Sequence, residues 1–135
     1  MHPNRVRLRA VVATGLLAFI CSLVWYSPLL FGGVWMAHRG NAVSTTPAWT
    51  FVVAPLREIA VALVLAHLIV RLAITDVGRA MRLAVALWLA FHAVGMAGAV
   101  LWDNMPWQLG LVHGGDWLMK AVIMAAMLTV WHRRA

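Results

Sequence analysis

The sequence predicts an all-α fold: an integral membrane four-helix bundle, one transmembrane domain over residues 1–135, with both termini cytoplasmic. Three observations predict it. Apolar residues make up 64% of the chain and charged residues 11%, where soluble domains carry about 45–50% and about 25%; mean hydropathy is +0.86. The apolar residues gather into four stretches long enough for a hydrocarbon core of about 30 Å, which needs roughly 20 helical residues. The basic residues punctuate those stretches so that most fall at one end. Such a composition excludes a soluble catalytic domain. The single cysteine, Cys21, excludes an intrachain disulfide framework and a CxxC zinc site; it reads as a small packing residue.

The first span runs from Ala10 to Leu30 without a charge, preceded by Arg5, Arg7 and Arg9 and followed by Gly32-Gly33 as a helix stop. No A-x-A site follows it and it is longer than a signal-peptide core, so it reads as retained. The second lies at about Pro55 to Thr75. It carries Arg57-Glu58 near one interface, with Arg71 snorkelling at the other. The third runs from Leu83 to Trp102. The fourth runs from about Leu109 to Trp131 and must contain Asp116 and Lys120, because Ala121 to Trp131 alone is too short to cross. Between the first two spans, Ala37 to Pro47 reads as an external polar loop.

Four spans return both termini to one side. That side holds Arg5, Arg7, Arg9, Arg71, Arg79, Arg82, Arg133 and Arg134 against Asp76 alone, which accounts for the whole formal charge of +7. The positive-inside rule makes it cytoplasmic. Despite a pI of 11.6, the arginines form no stripe with interleaved aromatics, so nucleic acid is not the expected partner. Anionic lipid headgroups are.

The end of the first span, Trp25-Tyr26-Ser27-Pro28-Leu29-Leu30-Phe31-Gly32-Gly33-Val34-Trp35, resembles the signature of the bacterial family called domain of unknown function 1761. The resemblance implies a small four-span protein of the bacterial inner membrane in which this segment closes the first helix; it implies no biochemical activity. It is specific over Trp25 to Trp35 and loose over Leu83 to Trp131. Where the family carries an uncharged Asn-Ala-Gly-Tyr-His-like stretch, this chain has His113-Gly114-Gly115-Asp116-Trp117, followed by Lys120.

Four constellations could carry function. His113, Asp116 and Lys120 share one helical face at i, i+3 and i+7. Each charge at mid-depth costs about 2.5–3.5 kcal/mol on insertion scales, so Asp116 and Lys120 are expected to pair, with Arg57-Glu58 or Asp103 as further members. Such residues serve either as functional groups or as a pair that fixes helix rotation. His67 and His92, counted from a turn near Gly78-Arg79, are expected at equal depth on antiparallel neighbours. There they could ligate a haem or pigment metal, relay protons, or bond to backbone. Trp25, Trp35, Trp49, Trp102, Trp107 and Trp117 map to the outer half, with only Trp88 and Trp131 inward. That bias suggests a partner-docking surface or a one-sided aromatic belt. Gly95, Gly98, Gly110 and Gly114 read as close-packing positions.

No phosphate-binding loop, H-E-x-x-H or nucleophile–base pair is present, so the chain is not expected to be an enzyme. Three roles remain, in order: an accessory or assembly subunit docked on a larger membrane complex; a proton-coupled small-solute transporter or channel acting as a homo-oligomer; and a redox subunit holding haem between His67 and His92.

Overall fold

The structure is a computed structural model, described here for residues 5–40 and 46–134. Among the described residues it is helical throughout, with no strand. Four helical segments are long and apolar enough to cross a membrane: Leu8–Trp25, Thr50–Arg71, Val77–Trp102 and Trp107–Arg133. The first is α1; a short α2, Gly32–His38, follows it; Thr50–Arg71 is α3. The third span comprises α4 (Val77–Leu87), a π-helical segment Trp88–Ala93 and α5 (Val94–Trp102), and the fourth is α6. This is a multi-pass membrane architecture.

Helix ends depart from the expected ones for local reasons. α1 stops at Trp25 rather than Leu30, because Ser27-Pro28 breaks the ladder and the chain folds back, with Phe31 N–H donating to the Trp25 carbonyl and Gly32 N–H to the Ser27 carbonyl. A Cβ on Gly32 would lie 2.5 Å from the Tyr26 carbonyl oxygen, so only glycine fits this turn. Gly32-Gly33 therefore opens α2 and does not act as a stop. α3 begins five residues before Pro55, which its early turns tolerate. It ends at Arg71 in a Schellman arrangement: Ala73 takes φ 49°, Ala73 N–H reaches the Val70 carbonyl and Ile74 N–H the Ile69 carbonyl. Asp76 then caps α4 by accepting from the Arg79 N–H at 2.8 Å. Of the expected polar loop Ala37 to Pro47, residues 41–45 lie outside the described residues.

α6 is the hub. It packs against α1, α2, α3, α4, the π segment and α5, while α1 also packs on α3. The Arg7 N–H donates to His132 Nε2 at 3.2 Å, so the start of α1 and the end of α6 meet at one end of the bundle. At that end the core is built from small residues, among them Ala10, Ala66, Ala80 and Ala125 at 0–1% exposure, filled in by Ile69, Met124 and Leu128. Further along, the crossing of α1 and α3 is very close. A Cβ on Gly15 would fall 2.8 Å from the Ile59 Cα. In lipid, such close approach replaces the missing hydrophobic drive between helices.

Candidate functional site

The other half of the bundle is held apart by aromatic side chains. Trp25 Nε1 donates to the Val112 carbonyl at 3.0 Å, and Trp88 Nε1 to the Gly114 carbonyl at 2.9 Å. Both rings thus brace α6, and the Trp25 ring covers Gly115 so closely that a Cβ there would meet it at 2.7 Å. Tyr26, held by the Pro28 turn, brings its hydroxyl 2.5 Å from His113 Nδ1 and packs edge-on to Trp35. Under this aromatic frame lies a cavity of about 620 Å³ lined from α1, α3, α6 and the π segment, with Tyr26, Glu58, His92, His113, Asp116 and Lys120 among its walls. That size is within the ~300–1,000 Å³ usual for ligand sites.

Its floor is ionic. Lys120, midway along α6, places Nζ 2.8 Å from Glu58 Oε1 and 2.9 Å from Asp116 Oδ2. All three residues are 2–3% exposed. The ammonium also lies 3.7 Å from the centroid of the Trp117 ring, which the Arg57 guanidinium overlooks at 5.5 Å. Isolated charges at this depth are costly, and mutual pairing recovers part of that cost. The pairing is incomplete, however. Glu58 Oε2, Asp116 Oδ1 and His92 Nε2 are buried and without a hydrogen-bond partner. Two carboxylates share one ammonium, so the ionised triad would carry a net −1 in a low-dielectric surrounding.

The structure brings together His113, Asp116, Lys120 and Glu58, expected from different helices, with Arg57 at the edge of the same cavity. Asp103 is not part of it: it is exposed, next to the end of α5. The expected facing of His67 and His92 is not formed. Leu72 to Asp76 is not helical, so the count from a turn near Gly78 misplaces both. His67 stands four residues above the end of α3 and His92 fifteen above the start of α4, about 6 Å and about 22 Å along their helices. α3 and α4 each pack against α6. His67 is exposed, whereas His92 joins the cavity beside Trp117, with ring centroids 5.9 Å apart. A bis-histidine haem or pigment site therefore has no geometric basis here. Among the described residues no group of three His, Cys, Asp or Glu is arranged to hold a metal.

The six outer tryptophans divide. Trp25, Trp35 and Trp117 are engaged within the chain as described, while Trp49, Trp102 and Trp107 are exposed at 64%, 83% and 61%. Trp88, expected toward the inner half, instead reaches Gly114. Gly95 and Gly98 face open space, unlike Gly110 and Gly114, which meet Val100 and Trp88. Arg5, Arg7, Arg9, Arg79, Arg82, Arg133 and Arg134 are exposed at the end where α1 starts and α6 finishes. Sequence reasoning had left Tyr26 and Trp88 out of the site. The tyrosine's position depends on a turn that folds back, and the indole's on a π segment. Neither has a periodic signal, although mid-helix π turns often mark functional positions.

The family model described as protein of unknown function (DUF1761) matches residues 9–129. No curated protein and no solved structure matches the chain.

Proposed function

The chain belongs to the DUF1761 family, and we propose that it is a proton-coupled transporter of a small solute in the bacterial inner membrane, its arginine-rich end in the cytoplasm. The single observation that carries this reading is the triad of Glu58, Lys120 and Asp116, with its two unpartnered carboxylate oxygens on the wall of a mid-membrane cavity. A purely structural ion pair would be closed on itself. Here two carboxylates share one ammonium, and the Arg57 guanidinium at the cavity edge pairs with neither, so a proton or a cationic group of a solute can take the free oxygens. The two compete for the same oxygens, and competition of that kind couples solute movement to proton movement. Lys120 limits the site to one added charge. Tyr26 and His113, hydrogen-bonded to each other, line the same cavity. Four spans line a pathway poorly alone, so the working unit is a homo-oligomer.

Proteoliposomes with an internal pH-sensitive dye test this. Native protein should dissipate an imposed pH gradient; Lys120→Met, Glu58→Gln and Asp116→Asn should each reduce that flux at least about tenfold while the protein stays folded. Undiminished flux in all three sinks the reading.

A separate observation favours a second reading, a non-catalytic subunit of a larger membrane assembly. α5 has no buried residue, and Trp102 and Trp107 stand exposed beside it. Co-purification of a defined larger complex in mild detergent supports that role; recovery of the chain only with itself removes it.

A further inference from the structure

The polar cavity is not sealed from the side. A second, apolar groove of about 550 Å³ lies between α3 and the third span and shares three wall residues with it: Arg57, His92 and Trp117. From Arg57 the groove follows α3 past Val61 and Val64 to Leu65, with Leu87 and Phe91 on the opposite side. Eight residues of helix make it about 12 Å long. It therefore leads from the level of the triad toward the arginine-rich end. At the junction Arg57 is exposed, and among the described residues no carboxylate pairs with it.

Three chemistries are thus set in line. Glu58 Oε2 and Asp116 Oδ1 are unpartnered acceptors suited to an ammonium with N–H donors. The Arg57 guanidinium is a forked donor suited to a phosphate. The groove is apolar along its length, lined by Val61, Val64, Leu87 and Phe91. We propose that the site takes a membrane lipid laterally, and that this lipid is an aminophospholipid. Its primary ammonium lies on Glu58 and Asp116, its phosphate on Arg57, and one acyl chain in the α3–third-span groove. The proposal rests on the transporter reading above and names the substrate class of that same site. The ammonium supplies the positive charge that the triad lacks, so its arrival displaces a proton from the carboxylates without covalent chemistry.

Native mass spectrometry of the full chain, released from detergent carrying equimolar phosphatidylethanolamine, phosphatidylcholine and phosphatidylglycerol, tests the proposal. The expected result is retention of phosphatidylethanolamine about tenfold or more over phosphatidylcholine, whose quaternary head has no N–H to donate; that factor is what one charge-assisted hydrogen bond carries. Glu58→Gln should erase the preference, and Arg57→Gln should reduce retention of all three lipids alike. Val64→Trp, which fills the groove without touching the triad, should reduce retention, and Leu63→Trp, on the exposed face of α3 outside the groove, should not. Equal retention of the three lipids, a preference that survives Glu58→Gln, or retention undiminished in both Arg57→Gln and Val64→Trp means an annular lipid only and overturns the proposal. Proton flux in vesicles of phosphatidylcholine and phosphatidylglycerol separates the two claims. Flux there without any lipid preference leaves the transporter reading standing and overturns the lipid assignment. A phosphatidylethanolamine preference with no flux in any lipid does the reverse.

Discussion

The two ends of the bundle are built on opposite rules. At the foot, where α1 starts and α6 finishes, alanines let the helices close on a core filled by Ile69, Met124 and Leu128, and further along Gly15 meets the Ile59 backbone directly. Toward the other end, tryptophan N–H groups reach across to carbonyls of α6, and bulky rings hold the helices apart around a polar cavity. The first arrangement gains stability from close packing. The second gives some of that up to keep three ionisable residues solvable by one another and two carboxylate oxygens unoccupied. The difference teaches that the ion triad sits where rings, and not close backbones, set the spacing between helices.

The largest effect should come from breaking the triad. Lys120→Met leaves Glu58 and Asp116 buried beside each other without a counter-charge and should lower unfolding stability in detergent by about 3–5 kcal/mol. The triple variant Lys120→Met, Glu58→Gln, Asp116→Asn should recover most of that loss, since it removes the charges together. If the single variant is as stable as the native chain under denaturant titration, the triad is not paired as described. Next comes the foot. Ala10→Leu forces a larger side chain into the alanine-lined core and should cost about 1–3 kcal/mol through overpacking, read by the same titration, while proton flux of the surviving folded fraction stays native. Loss of flux without loss of stability would show that the two ends are not separable. The smallest effect falls on the head: Trp25→Phe removes one indole hydrogen bond, worth about 0.6 kcal/mol in a membrane. It should change flux more than stability, because Trp25 sets the position of the His113-bearing turn of α6.

How much of this was legible follows from the same division. The spans and the gathering of arginine at one end were readable because each depends on local composition, and the need to admit Asp116 and Lys120 into the fourth span followed from length alone. The i, i+4 pairing within α6 was readable from spacing. The third partner was only one of two named options, Glu58 or Asp103, because choosing between them requires knowing that α6 packs on α3. The His67–His92 pairing failed for a specific reason: Ala73 in the left-handed region ends α3 early, and nothing in its side chain announces that. The Tyr26–His113 contact depends on Gly32 permitting the chain to fold back over Tyr26, a long-range consequence of what reads in sequence as a helix stop.

The central claim is that Glu58 and Asp116 share one exchangeable positive charge with Lys120 at mid-membrane. Difference infrared spectroscopy of the membrane-reconstituted protein across a pH titration reads carboxyl protonation directly. The account predicts one protonation event in the carboxylic-acid region that disappears in both Glu58→Gln and Asp116→Asn. A carboxyl signal unchanged in both variants, or none at any pH at which the protein is folded, would contradict it.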